Sequence, residues 1–448
     1  MHRICLMPLL AARSMLHNAR TCLPHLVACT VVVALHYDIQ FLNTCHALDQ
    51  LPGVSSLRGL LSVVVLALDL FSALLVFYTN GHLMRHRLRE LGLYSVLGME
   101  RRHIRSLLRW EWAYTTLVSI GGGLALGIAL SRLFLRGLGS LLQADVGAGL
   151  EIPQIAVLFT VFVYACILTL SLVANLARVS VARPIELLRA SAAAEREPAT
   201  RWLTAAVGVV ALACGYGLSL LTNPLLDLGV FLAAVLLVIL ATRCLFSAGS
   251  VAALKALRAD RDYYYRPDHI VALSSMLHRM RRNAAGLATI CVLVTMALVM
   301  TSTTLCLYVC AASITAASDE PGLKTLLASY FFVGLFLSAL FLMASLLIVY
   351  YRQLTEGDED ARTYEVLRKL GMSADQVASA SRYQALLAFL PPLVVAAVHT
   401  AAALPMTYRI LMAFGLSDPW VLLACYAATV AAFGLVYLVS CKLATRRA

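Results

Sequence analysis

The sequence predicts an all-α polytopic membrane protein. It should have about ten transmembrane helices, an internal duplication over spans 2–4 and 8–10, and no large extracellular domain. Three observations carry this. Of 448 residues, 61% are hydrophobic and only 13% charged. A soluble domain needs roughly a quarter of its residues charged to cover its surface, so most of this surface must face lipid. Ten apolar stretches each supply the roughly twenty residues that cross a bilayer. Two distant stretches are also copies of each other.

The spans fall near residues 23–41, 57–78, 114–135, 153–173, 203–221, 224–245, 285–310, 326–351, 386–408 and 419–439. The first is the weakest, because it contains His36 and Asp38. Those two are expected near the outer head groups, in contact with water. Residues 3–20 mix leucines with Arg13, His17 and Arg20 and show no clear cleavage site. They read as a helix in the cytoplasmic interface, an elbow into the first span.

The net charge of +12 and pI near 9.2 do not point to nucleic acid, because the cations sit in alternate loops. Arg85, Arg87, Arg89, Arg101, Arg102, Arg105 and Arg109 follow span two. Lys255, Arg258, Arg261, Arg266, Arg279, Arg281 and Arg282 follow span six, and Lys442, Arg446 and Arg447 end the chain. This positive-inside pattern places both termini in the cytoplasm. The twelve cysteines are scattered, with no CxxC pair and no His partner at ligand spacing. They read as packing residues, and no metal site is expected.

The duplicated stretches are 87–111 and 361–384, hereafter the first and second handles. One constant offset lays Leu97-Gly98-Met99 on Leu370-Gly371-Met372, Ile104 on Val377, Glu111 on Gln384, and Phe77-Tyr78 on Tyr350-Tyr351. The organisation that follows is an interfacial helix at 1–20, a first span and outer loop at 21–56, a first repeat unit at 57–190, connecting spans at 191–325 and a second unit at 326–448. A parallel repeat of this kind has a two-fold axis along the membrane normal and is built to meet a two-fold partner.

In the first handle Ile104, Leu107 and Leu108 share one face of a helix, with Arg101, Arg102, Arg105 and Arg109 on the others. The helix is expected to lie at the membrane surface leading into the third span. Gly98 and Gly371 suit helix-ending turns that need a positive φ, and Ser373 suits an N-cap. Such a helix serves either as an anchor with its arginines on head groups or as a docking element for a cytoplasmic motor; two matched copies favour docking.

The segments Phe77–Ile104 and Tyr350–Ser373, with Pro391–Pro405 and Val181–Arg189, resemble the FtsX-like permeases of ABC transporters. The resemblance is nearest to Bce-type permeases associated with antimicrobial-peptide resistance in Gram-positive bacteria. It implies a multi-pass protein of the bacterial plasma membrane and a separate ABC ATPase that holds ATP and Mg. The chain itself has no GxxxxGK[ST] loop and is not expected to be an enzyme or to bind a cofactor. Each handle would dock one ATPase copy through Leu97, Gly98, Met99, Arg101, Arg102, Ile104 and Arg105, or through Leu370, Gly371, Met372, Ser373 and Val377. The output would be mechanical work on an amphiphilic compound such as an antimicrobial peptide, or signalling to a histidine kinase with little net transport. One departure is the short polar loop Ala311–Gly322, where such relatives carry a large extracellular domain.

Polar residues within spans are functional candidates. Asp69, near the middle of span two, suits a proton or cation step or a structural hydrogen bond. His399 in span nine suits helix–helix hydrogen bonding or function. Gly121-Gly122-Gly123 and Gly127 suit tight helix packing, and Pro391-Pro392 should kink or break span nine.

Overall fold

The computed structural model describes residues 6–49, 54–142, 151–181, 202–221, 228–310, 323–369, 371–413 and 418–445. Among them every regular element is helical. The helices are α1 (Leu6–His17), α2 (Ala19–Thr44), α3 (Val54–Val96), α4 (Arg101–Leu142), α5 (Gln154–Val181), α6 (Trp202–Leu221), α7 (Leu228–Cys244), α8 (Ser250–Ala259), α9 (Arg261–Tyr264), α10 (Pro267–Val309), α11 (Leu323–Lys369), α12 (Ala374–Ala413) and α13 (Pro419–Thr445). A π-helical turn, Leu245–Gly249, joins α7 to α8. Among the described residues ten helices are long and apolar enough to cross a membrane, and the chain is an all-α, multi-pass membrane protein. The turn read at Leu221–Pro224, the loop Ala311–Gly322, and Arg446 and Arg447 lie wholly or largely outside the described residues.

Several segments read as loops are helix. α3 has 43 residues, about 65 Å at 1.5 Å per residue, twice the roughly 30 Å of a bilayer's hydrocarbon core. It carries span two without interruption through Arg87 and Glu90 to Val96. α11 likewise runs 47 residues, to Lys369. Charge ends a hydropathy window but does not end a helix, which stops where a backbone device stops it. Pro391 and Pro392 do not break α12 either; it continues through both and through Pro405, as neighbouring helices in a membrane allow.

The chain forms two compact units, one of residues 1–194 and 320–333, the other of 195–319 and 334–448. In the first, α2 is the central helix, packed chiefly on α4 and also on α3 and α5, while α1 packs on α4. The α2–α4 crossing is made by Gly123 and Gly127. A Cβ on Gly123 would stand 2.5 Å from Val33, and one on Gly127 2.8 Å from Tyr37. In the second, α10 packs on α12 and α13 as α2 packs on α4 and α5, and α6 pairs with α7. The first unit therefore holds one more span than the sequence repeat, α2, and the second holds three more, α6, α7 and α10.

This packing overturns the expectation for His36 and Asp38. Neither is solvated; both are completely buried. They lie inside α2, the helix its neighbours enclose, so their polarity marks an interior site and not a membrane boundary.

Candidate functional site

Each handle is a helix–turn–helix bend with one backbone design. After α3 the Gly98 N–H donates to the Ser95 carbonyl at 3.2 Å and the Met99 N–H to Tyr94 at 2.9 Å. After α11 the Gly371 N–H donates to Arg368 and the Met372 N–H to Leu367, both at 3.1 Å. This pair of bonds is the Schellman motif, which puts its glycine in the left-handed region. Gly98 has φ 94° and Gly371 φ 102°. A Cβ on either would meet nothing within 4 Å, so conformation and not space requires glycine. Met99 and Tyr94, the motif's hydrophobic partners, pack on the same cluster. Leu370 lies outside the described residues.

The helices that follow start differently. Ser373 Oγ accepts from the Gln376 N–H at 3.2 Å, and Gln376 Oε1 accepts from the Ser373 N–H at 3.0 Å, a reciprocal capping box. In the first handle Glu100 stands at that place and pairs with Arg102 at 2.7 Å.

Ile104, Leu107 and Leu108 are buried against Ala11 of α1, Met84 and Leu91 of α3 and Val179 of α5. The apolar face expected to rest on the membrane surface is covered by the protein's own helices, because α4 begins as an extension of its span and α1 folds onto it. Arg101, Arg102 and Arg105 stay exposed, with Arg101 donating to the Ser180 carbonyl at 3.0 Å. At the bend Leu93, Val96 and Leu97 are exposed, Leu97 by 73%. In the second handle Val366, at the place of Leu93, is also exposed, and Val377 is half-buried.

The first handle holds a polar lock the sequence reading missed. Arg87, 3% exposed, donates through Nη1 to Ser14 Oγ at 2.6 Å and through Nη2 to Glu111 Oε1. Glu90 lies 3.4 Å from the same guanidinium and accepts from Asn18 at 3.0 Å and Tyr94 at 2.9 Å. Two helical carboxylates and an arginine thereby fasten α1 to the bend. One signal was available: Arg87 is spaced three and four residues from Met84 and Leu91, on the apolar face of α3. Beside the lock, Arg87, Glu111, His25, Trp112, Asn80 and Asn175 line a cavity of about 60 Å³. The two asparagines pair reciprocally at 2.9 and 3.0 Å, and His25 meets Thr79 at 2.8 Å.

The second handle is braced by other means. Tyr383 of α12 stacks on His269 of α10, with centroids 4.4 Å apart, and its hydroxyl meets that of Tyr263 of α9.

The intramembrane candidates have partners in separate units. In the first, Asp69 Oδ1 lies 3.1 Å from His36 Nε2. In the second, His399 meets the Tyr216 hydroxyl at 2.5 Å and Thr242 Oγ1 at 3.1 Å, bridging α12 to α6 and α7. Among the described residues no group of three or more His, Cys, Asp or Glu side chains is placed to hold a metal.

The family described as FtsX-like permease C-terminal matches residues 61–183 and 335–448, each segment holding one handle. The chain is 22% identical over 61% of its length to the uncharacterized ABC transporter permease YvcS of Bacillus subtilis, covering 43% of that protein. It is 24% identical to the bacitracin export permease protein BceB of the same species, over 61% of this chain and 44% of BceB. The ABC transporter permease protein YxdM, also from Bacillus subtilis, is 25% identical over 48% of this chain and 34% of its own length. The chain thus spans less than half the length of the curated relatives it matches. With both halves matched around the same glycine bend, this chain belongs to the FtsX-like permease family.

Proposed function

We propose that the chain is the permease subunit of an ABC transporter, coupling ATP hydrolysis in a separate ATPase subunit to export or removal of an amphiphilic compound such as an antimicrobial peptide. The observation that carries this is the pair of Schellman bends at Gly98 and Gly371, alike in backbone and each at the end of a helix that extends a span. Each would seat one ATPase copy, with both handles and both termini on the cytoplasmic face. Exposed Leu93, Val96 and Leu97 supply apolar contact, ringed by Arg101, Arg102 and Arg105. The long helices α3 and α11 would carry motion from bend to bilayer, since a continuous helix transmits displacement along its axis. The relatives' names, ABC transporter permease and bacitracin export permease, agree with this reading.

Native mass spectrometry of the chain co-expressed with a cognate ATPase tests it. Two ATPase copies per permease are expected in mild detergent with nucleotide. No bound ATPase under those conditions overturns the proposal.

A further inference from the structure

We propose that His36 and Asp69 form a proton-binding site inside the first unit, the pair holding one proton more than a neutral imidazole beside a carboxylate. This does not depend on the permease reading.

Three helices converge on one imidazole. His36 of α2 is completely buried. Its Nδ1 lies 3.0 Å from Thr160 Oγ1 of α5 and its Nε2 3.1 Å from Asp69 Oδ1 of α3. The second contact has ion-pair distance without hydrogen-bond alignment. Phe159 stacks on the ring at 6.0 Å and Tyr164 meets it edge-on at 5.4 Å.

Charge balance calls for the proton. A carboxylate inside a membrane span is expensive, and effective desolvation of a buried ion is several kcal/mol. Among the described residues, Asp69 has His36 as its ion-pair partner and no arginine or lysine. One added proton leaves the pair neutral; without it a bare negative charge stands in the span. The other titratable groups nearby supply no cation: Tyr164 of α5, Cys29 of α2, which touches Ser119 of α4, and Asp38, buried with both carboxylate oxygens unpartnered.

The duplication provides the control. The offset that carries Leu97 onto Leu370 carries Ser72 onto Ser345 and Tyr164 onto Tyr437. Tyr164 lies 2.9 Å from Ser72, and Tyr437 interacts with Ser345, although its hydroxyl falls outside hydrogen-bond geometry. The same offset carries Asp69 onto Leu342. The fold therefore forms with leucine there, and an apolar replacement of a buried ionic pair is often neutral or stabilising. An acid retained at that place serves something other than packing. Its side chain is 21% exposed, while that of His36 is sealed.

Infrared spectroscopy of the purified chain in lipid nanodiscs, in H2O and D2O, tests this, with Asp38→Asn as background to remove the carboxyl buried on the same helix as His36. A carboxylic-acid C=O band or an imidazolium ring mode, shifting in D2O, is expected. Asp69→Leu should abolish it without lowering the melting temperature. Should Asp69→Leu fail to insert, Asp69→Asn keeps the side chain's shape and must abolish the same signal. If neither substitution removes a carboxylic or imidazolium signal, the contact is a neutral imidazole beside an ionised carboxylate and the proposal is overturned.

Discussion

Arg87 and Glu111, on consecutive helices, meet inside the first handle with the arginine 3% exposed. Removing one member of a buried ion pair strands the other and is destabilising by about 3–5 kcal/mol. Arg87→Ala should therefore lower stability by about that amount, while exposed Arg105→Ala leaves it unchanged. Chemical denaturation in detergent micelles checks both. An equal effect from the two would mean that the buried lock contributes nothing.

Gly98 and Gly371 should each resist replacement for conformational reasons. Alanine at a left-handed position is worse by about 1–2 kcal/mol, and asparagine less so. Because open space surrounds both Cβ positions, a bulky residue projects outward. The double variant Gly98→Trp, Gly371→Trp should insert normally but fail to co-purify an ATPase that the double alanine variant still binds. Equal ATPase recovery from both would argue against docking at the bends.

The capping box predicts a difference between the handles. Ser373→Ala should destabilise the second by about 1 kcal/mol, and Ser373→Asp should restore it. Amide exchange at Gln376 reads the local effect directly; unchanged exchange in Ser373→Ala would rule the cap out.

At the α2–α4 crossing, Gly123→Ala should destabilise by about 1–3 kcal/mol through overpacking. Gly121→Ala, with nothing within 4 Å of its added carbon, should not. Thermal melts of the two variants, compared side by side, decide whether the crossing is as tight as described.

His46 and Glu151 bond across the ends of α2 and α5. The hydrogen bond and charge of Glu151 raise His46 above its usual 6.5, and the bond from His46 holds Glu151 below its usual 4.5. The His46 contribution is full below the unfolded histidine value and fades as pH rises through the raised one. That of Glu151 is present above the unfolded glutamate value and is lost as pH falls through the lowered one. The pair thus supports the fold best between about 4.5 and 6.5. An NMR titration should find the His46 midpoint lower in Glu151→Gln; an unmoved midpoint would show that the pair does not form in solution.

The sequence by itself determined what depends on neighbours along the chain. Spans follow from the length of apolar runs, and the repeat from residue identity at one offset. The bends follow from glycine at the end of a helix, and the cap of α12 from a serine just past the second bend. Each is a local backbone or solvent rule, so it survives without knowing which helix lies beside which. Only the tertiary structure decided the partners. Ser14 reaches Arg87 from 73 residues away and Thr160 reaches His36 from 124, and no periodicity encodes such pairings. The same limit misplaced His36 and Asp38: hydropathy saw two polar residues in a weak span, whereas burial depends on α3, α4 and α5 closing around α2. It likewise hid the covered face of the first handle, since an amphipathic helix presents one pattern whether lipid or α1 lies against it.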